Sequence, residues 1–288
     1  MYTKRRFVIH IPGMLALATA LIIAAAAHAR QSGSIAGWGD QVVVPQQQLA
    51  KLIAVAGGGY HNLGLRNDGS IVAWGDNISG QCNVPAPNSG FVAATVGRYH
   101  SLGLKNDGSI VAWGWNYYGQ LDLPAPNSGF IAVAGGGLHS LGLKNDGSIA
   151  AWGDNGYGEC NVPAPNGGFT AVSAGWYHSL GLKNDGSIVA WGAGGPGPIV
   201  LPNFGQSLVP APNSGFIAVA AGEFHSLGLR VISGDITGDG HVNIDDLLAV
   251  VGAWGPCPAA PAWCLSDVNH DHVVNIDDLL AVLNNWGP

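Results

Sequence analysis

The chain has 288 residues, 47% hydrophobic and only 10% charged, with 45 glycines, 17 prolines and a net charge of −7. Globular domains ordinarily carry about 25% charged residues; this composition describes a protein of strands and turns, and the fixed spacing of its glycines excludes a disordered low-complexity chain. Lys and Arg number 11 against 18 Asp and Glu and form no cluster beyond Arg6, which excludes nucleic acid as a partner.

The first 29 residues carry the marks of an export signal. Lys4, Arg5 and Arg6 open it, an apolar run covers Met14–Ala27, and Ala27-His28-Ala29 is a small-x-small cleavage site. A membrane anchor is the alternative, but His10, Pro12 and Gly13 leave an apolar core too short to span a bilayer. No cysteine follows the cleavage site, which argues against a lipoprotein. Residues 1–29 are therefore expected to be removed on export, leaving no membrane span and a secreted, cell-surface or envelope protein.

From residue 30 to residue 232 the sequence repeats. Its landmark histidines are His61, His100, His139, His178 and His225, at intervals of 39, 39, 39 and 47, and Trp38, Trp74, Trp113, Trp152 and Trp191 keep step with them. The string HSLGLKNDGSIVAWG stands word for word at His100–Gly114 and at His178–Gly192. Small and apolar residues alternate around Asn-Asp-Gly, the pattern of a hairpin whose Gly takes the positive-φ turn position. A segment such as GFIAVAGGG adds a strand in front, so each unit is expected to be an antiparallel sheet of three or four strands. One such sheet cannot bury its faces alone, and a period near 40 residues means blades or a solenoid. The last unit stops after HSLGLRV, lacking a GSIVAWG strand, while an orphan GSIAGWGD stands at Gly33–Asp40. The halves complete one another if the N-terminal strand closes a ring and removes the exposed edges. The expected fold is mainly β, a five-bladed β-propeller closed by that strand, with an open stack as the alternative.

The recurrent pattern GxxHSLGLKNDGSIVAWGxNxxGQ, over Gly33–Val231, resembles the RCC1 (regulator of chromosome condensation) repeat family. The resemblance implies a propeller scaffold. A nuclear, seven-bladed member of that family exchanges guanine nucleotides, whereas exported members use the ring as a protein-binding surface, the closer analogy for a chain with an export signal.

Residues 233–288 hold eight acidic residues and no Lys or Arg, a concentration that suggests cation binding. Two twelve-residue loops, DITGDGHVNIDD and DVNHDHVVNIDD, place oxygen-bearing groups at positions 1, 3, 5, 7, 9 and 12. The first offers Asp235, Thr237, Asp239, the His241 carbonyl, Asn243 and Asp246; the second offers Asp267, Asn269, Asp271, the Val273 carbonyl, Asn275 and Asp278. Calcium takes six to eight oxygen ligands, and this spacing wraps them around one ion. Each loop leads into LLAV and a short helix. The pair, covering about Gly234–Trp286, looks like a type I dockerin. That resemblance implies two calcium ions, calcium-dependent folding and docking onto a cohesin-type protein, with Ile244, Asp245, Ile276 and Asp277 influencing partner choice. It also associates the chain with polysaccharide catabolism. Thr237 is a weaker ligand than the usual acid or amide, and His272 stands where Gly normally makes the sharp turn. Cys257 and Cys264 bracket PAAPAW, where a disulfide in an exported protein is worth ~2–3 kcal/mol by loop entropy. Cys82 and Cys160 hold equivalent places two units apart, beyond the ~7 Å bridging limit, and are expected to stay unpaired.

Candidate chemistry in the repeats is weighed against their regularity. The five histidines could ring a metal, but a buried histidine bonded to backbone in every blade is the favoured reading. Asp68, Asp107, Asp146 and Asp185 all fall in the hairpin turn. Glycoside hydrolysis needs two carboxylates ~5–10 Å apart; the non-repeated acids Asp122, Glu159 and Glu223 come from different units and lack a motif. The chain is expected not to be an enzyme. Binding is expected where the repeats differ. Two residues before each histidine stand Gly59, Arg98, Gly137, Trp176 and Glu223, and the loops after WG supply Trp115, Tyr117, Tyr118 and Tyr157. With Trp176 these rings offer area for a protein contact or for sugar stacking. The expected function is a secreted protein-binding module with a calcium-dependent docking tail; the alternative is a carbohydrate-binding or polysaccharide-degrading component of an extracellular assembly.

Overall fold

The computed structural model describes residues 51–196, 201–230, 234–238, 240–257, 264–269 and 271–286. The expected signal segment, the strand at Gly33–Asp40 and Asp239 lie outside the described residues. Those described form two compact units, 51–230 and 234–286.

In the first unit each repeat is an antiparallel sheet. The first sheet holds β1 (Leu52–Gly57), β2 (His61–Arg66) and β3 (Ile71–Gly75); the second, β4 (Phe91–Val96), β5 (His100–Lys105) and β6 (Ile110–Gly114). The third holds β7 (Phe130–Gly135), β8 (His139–Lys144) and β9 (Ile149–Gly153); the fourth, β10 (Phe169–Ala174), β11 (His178–Lys183) and β12 (Ile188–Gly192). The fifth has two described strands, β13 (Phe216–Ala221) and β14 (Ser226–Arg230). The β2–β3 turn follows from Asn-Asp-Gly: Gly69 takes φ 77°, and the Asp68 carboxylate accepts from the Ser70 amide (2.9 Å) and hydroxyl (2.7 Å).

The sheets stop at three strands for a local reason. On the outer edge of β3, Asn88 accepts from the Ile71 amide at 2.7 Å and donates to the Ile71 carbonyl at 2.8 Å. One side-chain amide thus supplies the pairing a fourth strand would offer. Asn127, Asn166 and Asn213 do the same for Ile110, Ile149 and Ile188.

Cores form between successive sheets. Leu63, Leu65 and Ile71 of the first pack with Phe91, Val96 and Trp113 of the second, and the pattern recurs down the stack. Each fully buried aliphatic or aromatic side chain contributes roughly 1.5–3 kcal/mol. The His-Ser dipeptide adds a polar seam. His61 Nε2 meets the Ser101 hydroxyl of the next sheet at 2.8 Å, and that hydroxyl donates to the Gln81 carbonyl at 2.9 Å. The same relay joins His100 to Ser140, His139 to Ser179 and His178 to Ser226. His61, His100, His139 and His178 are buried and structural, but their partner is a serine of the neighbouring repeat rather than backbone, and the fifth, His225, is exposed; both points correct the expectation. Close approach here requires glycine: a Cβ on Gly136 would stand 2.4 Å from His139 Cε1 and 2.7 Å from the Gly175 carbonyl.

The two ends of the stack differ from its middle. Val55 on β1 is 60% exposed, whereas its repeat-mates Val133 and Val172 are 1% and 5% exposed. At the other end Leu227 on β14 is 61% exposed. Among the described residues no sheet covers either position.

In the second unit, α1 (Ile244–Gly252) and α2 (Ile276–Asn284) begin at Asn243 and Asn275, whose side chains cap them, with Asp246 and Asp278 closing capping boxes. β15 (Gly255–Pro256) pairs with β16 (Val273–Val274). Val242, Val250, Val274 and Val282 make a small core. Cys257 and Cys264 are disulfide-bonded with Cα atoms 5.6 Å apart, and Cys82 and Cys160 are free. Among the described residues no helix is long and apolar enough to cross a membrane.

Candidate partner-binding face

One end of the sheets carries the Asn-Asp-Gly turns; the other carries the residues that refuse to repeat. At that second end the turn before each histidine and the loop after each WG are tied directly, as in Asp76 N to Tyr60 O (2.8 Å) and Trp115 N to Tyr99 O (3.0 Å). Successive turns are tied to one another as well, Arg98 N to Gly136 O and Gly137 N to Gly175 O. This bonded frame fixes where the variable side chains stand.

The rings on it form two patches. In the first, Tyr60 stacks on Tyr99 (5.3 Å), Tyr99 meets Trp115 edge-on (5.4 Å), and Trp115 contacts Tyr117 (6.0 Å) and Tyr118 (5.6 Å). In the second, Tyr177 contacts Tyr157 (5.2 Å), Trp176 (6.1 Å) and Phe224 (5.9 Å), and Phe204 packs on Phe224 (5.4 Å). Arg98 joins them. Its guanidinium lies 4.2 Å from the Trp176 ring centroid and 5.0 Å from that of Tyr99, and it donates to the Tyr60 hydroxyl at 3.4 Å. That hydrogen bond holds the Tyr60 phenol below its usual pKa. Gly137 lets its turn approach the backbone of the Trp176 turn closely; a Cβ there would lie 2.6 Å from the Trp176 carbonyl oxygen. Tyr117 is 78% exposed, and Tyr118, Tyr157, Tyr60 and Phe204 are also exposed.

All five aromatic residues named from the sequence (Trp115, Tyr117, Tyr118, Tyr157, Trp176) fall on this end. Tyr60, Tyr99, Tyr177 and Phe224 were missed. Their signal was present, since the residue directly before each histidine reads Tyr60, Tyr99, Leu138, Tyr177 and Phe224.

Two of the three non-repeated acids have structural posts. Glu159 accepts from the Tyr157 amide at 2.7 Å, the post that Gln81 and Gln120 hold for Ser79 and Tyr118. Asp122 accepts from Asn116 at 2.9 Å as Asn83 does from Asn77. Burial pushes the Glu159 carboxyl above its ordinary range.

Each loop of the second unit turns its last carboxylate inward. Asp246 and Asp278 are wholly buried. Asp246 accepts from Ile236 N, Thr237 N, Thr237 Oγ1 and Asn243 N, and Asp278 from Val268 N, Asn269 N and Asn275 N. Burial alone would raise both, but these donors outweigh it and hold both carboxyls below the usual range. Asp235 accepts from Gly238 N and Gly240 N, and Asp267 from Asp271 N and His272 N. His272 takes φ 70° where Gly240 takes 86°. Asn269 donates to Asp271 at 3.1 Å; Asn275 donates to the Val273 carbonyl at 3.3 Å, and His241 is exposed. The cluster of three metal-capable side chains found among the described residues is Cys257, Cys264 and Asp267, and both sulfurs there are in the disulfide. Ile244, Asp245, Ile276 and Asp277 are exposed, the two isoleucines continuing into apolar stripes with Leu248 and Val251 on α1 and Leu280 and Leu283 on α2.

Four segments of the chain, 52–81, 91–120, 130–159 and 169–195, match the regulator of chromosome condensation (RCC1) repeat. The first unit is an RCC1-like stack of blades. No curated protein matches the chain. Among solved structures it is similar to Prp20p from Saccharomyces cerevisiae, described with its binding properties to Gsp1p and histones, at 20% identity and a TM-score of 0.52, over 62% of this chain and 56% of that one. A second, yeast RCC1 (Prp20) with Kap60 bound to it, matches at 20% identity and a TM-score of 0.50, over 62% and 54%. This chain therefore spans little more than half the length of those RCC1 structures, and at such identity the likeness carries the fold alone.

Proposed function

We propose that this protein is a secreted, non-catalytic binding module whose RCC1-like blades recognise another protein through the aromatic end. The observation that carries the reading is the Arg98–Trp176 contact. It joins rings from several repeats into one surface in which a cation is held between aromatic faces, the residue types that dominate protein hot spots. Prp20p, of the same fold, is a protein reported with protein partners. The posts held by Glu159 and Asp122 weaken the enzymatic alternative, since each acid occupies a place where other repeats use an amide.

In this reading the fifth sheet is completed by residues 33–40, making a five-bladed ring, and residues 1–29 are removed on export. The tail is dockerin-like. Its donors are all oxygen, and residues 233–288 contain no Lys or Arg to neutralise the buried Asp246 and Asp278, a set that fits a hard cation. Asp235, Thr237, Asp239, the His241 carbonyl, Asn243 and Asp246 would hold one calcium, and Asp267, Asn269, Asp271, the Val273 carbonyl, Asn275 and Asp278 a second. Calcium would neutralise the carboxylates that otherwise repel one another within each loop. The apolar stripes of α1 and α2 then dock on a cohesin-type protein.

The test is affinity capture from culture medium of the source organism, with calcium and with chelator, using the full chain and a Tyr117→Ala/Trp176→Ala variant. A protein retained by the full chain and lost by the variant, in calcium and in chelator alike, supports recognition by the blades. Equal capture by the variant overturns it. The second reading, carbohydrate binding, is favoured by the exposed Tyr117 ring lying nearly parallel to Trp115 (15°), a platform suited to a sugar face. A glycan array silent for the full chain removes it.

A further inference from the structure

Glu223 is the non-repeated acid to which the fold gives no post. It stands exposed in the turn before His225, and its carboxylate accepts no hydrogen bond among the described residues. Its backbone is held instead. The Glu223 carbonyl accepts from Trp176 N, and the next residue, Phe224, packs on Trp176 (5.7 Å), Tyr177 (5.9 Å) and Phe204 (5.4 Å). A charged group is thus fixed beside the second ring patch. Its field reaches the first patch as well, opposing the effect of Arg98 on the Tyr60 phenol.

The charge of the blades is sorted by end. Residues 51–230 carry seven Lys or Arg and nine Asp or Glu. Lys51, Arg66, Lys105, Lys144, Lys183 and Arg230 stand at the Asn-Asp-Gly end, where first strands begin and second strands stop. Cations there are already engaged. The Lys105 ammonium lies 3.7 Å from the Phe91 ring centroid and donates to the Pro87 carbonyl at 3.0 Å, and Lys183 repeats this on Phe169 and Pro165. With four acids, Asp68, Asp107, Asp146 and Asp185, against those six bases, that end is formally +2. The aromatic end holds five acids, Asp76, Asp122, Asp154, Glu159 and Glu223, against Arg98 alone, formally −4.

Arg98 shows what this surface accepts, since its guanidinium lies on the ring faces of Trp176 and Tyr99 in that acidic setting. Ring faces attract cations through their quadrupole, and a surface of one sign draws a partner of the other. We propose that the partner recognised by the aromatic end is a basic protein, one of whose Lys or Arg side chains seats against Tyr157, Tyr177 and Phe224 with its charge on Glu223. The assignment rests on the protein-binding reading above and names the chemistry of the partner. Tyr157 and Glu223 are both exposed, so the position is open to a side chain from outside. An acidic partner would meet a net negative surface whose single cation is already stacked.

The probe is a deca-lysine peptide added to the full chain, with deca-glutamate as its opposite. Carbodiimide coupling joins a peptide amine to a carboxylate it touches, and mass mapping of chymotryptic fragments names that carboxylate. Glu223 is expected to be the main acceptor within the blades. Coupling confined to the acids of residues 233–288, or to Asp68, Asp107, Asp146 and Asp185, overturns the proposal, as does tighter binding of deca-glutamate. Tyr157→Ala is expected to lower coupling at Glu223 about fivefold, the worth of one ring under a cation. Asp146→Asn, which removes a charge from the other end, should leave it unchanged. Equal losses from the two variants would mean unspecific attraction and overturn the seat. The last arm takes the protein retained in the capture test above. Glu223→Lys is expected to weaken its retention about tenfold, as a reversed charge at an interface does. Retention lost with Tyr117→Ala/Trp176→Ala but unmoved by Glu223→Lys and by raised salt would keep the aromatic end as a protein-binding face and reject the basic partner alone.

Discussion

The four seam histidines set how the blades respond to acid. Burial lowers His61 and His178 to about 4 and His100 and His139 to about 3. In an unfolded chain they titrate near pH 6.5. As pH falls the unfolded state therefore takes up protons first, so the contribution of each neutral histidine is whole above about pH 6.5 and drains away toward pH 3–4. Stability is expected to fall between pH 6.5 and 4 by up to about 1.4 kcal/mol per histidine per pH unit. Melting curves across that range check it, and His139→Gln should start lower at pH 7 but decline less steeply. Glu159 gives the opposite sign. Its carboxyl is raised by burial, so the folded state prefers it protonated and the ionised form costs stability at neutral pH. Glu159→Gln, which restores the amide of Gln81 and Gln120, is expected to melt higher than the parent at pH 7, the gap closing near pH 4. At this scale the sequence was half legible. That the histidines are buried could be read from their regularity, but their serine partners lie 40 or 48 residues away. Glu159 looked unique because only the folded loop shows that it and the glutamines brace the same turn.

Hairpins were legible because their cause is local. Asp68 and Gly69 fix a turn without help from elsewhere, and the same string fixes it again at Asp107, Asp146 and Asp185. The strand count was not legible, because Asn88 replaces a strand through a contact 17 residues away. The aromatic end was legible in composition and not in connection: Arg98 and Trp176 are 78 residues apart and meet only in the folded chain. In the tail, the short helices after each loop were expected, but not that Asn243 and Asn275, read as calcium ligands, cap them. Nine-residue helices are too short to hold alone. With a core of four valines, the unit depends on its disulfide and, in the proposed reading, on calcium. Chelation is therefore expected to open residues 234–286 to chymotrypsin while the blades stay resistant. Trypsin would miss this, since the segment has no Lys or Arg. Cleavage kinetics unchanged by chelator would count against a calcium-built tail.

Across the whole repeat unit, the ends carry the remaining argument. A stack of blades gains stability from each interface, and an end blade has only one. An end that stays in water has no physical reason to be apolar there, yet Val55 stands where Val133 and Val172 are buried, and Leu227 stands at a position buried in every other repeat. Leu63, Leu102, Leu141 and Leu180 hold the place of Leu227 and are 0–1% exposed. If residues 33–40 complete the fifth sheet and bring it against the first, Leu227 becomes a core residue and Val55 is covered with it. Leu227→Ala is then expected to cost about 2–5 kcal/mol, the same as is expected for the buried Leu180→Ala, and not the near-zero cost of trimming a surface leucine. The Val55→Ala/Leu227→Ala cycle should show coupling above about 0.5 kcal/mol, which residues without contact do not show. Chemical denaturation measures both, and sedimentation of the parent separates closure within one chain from end-to-end pairing of two. A monomer in which Leu227→Ala is silent would leave the molecule an open stack.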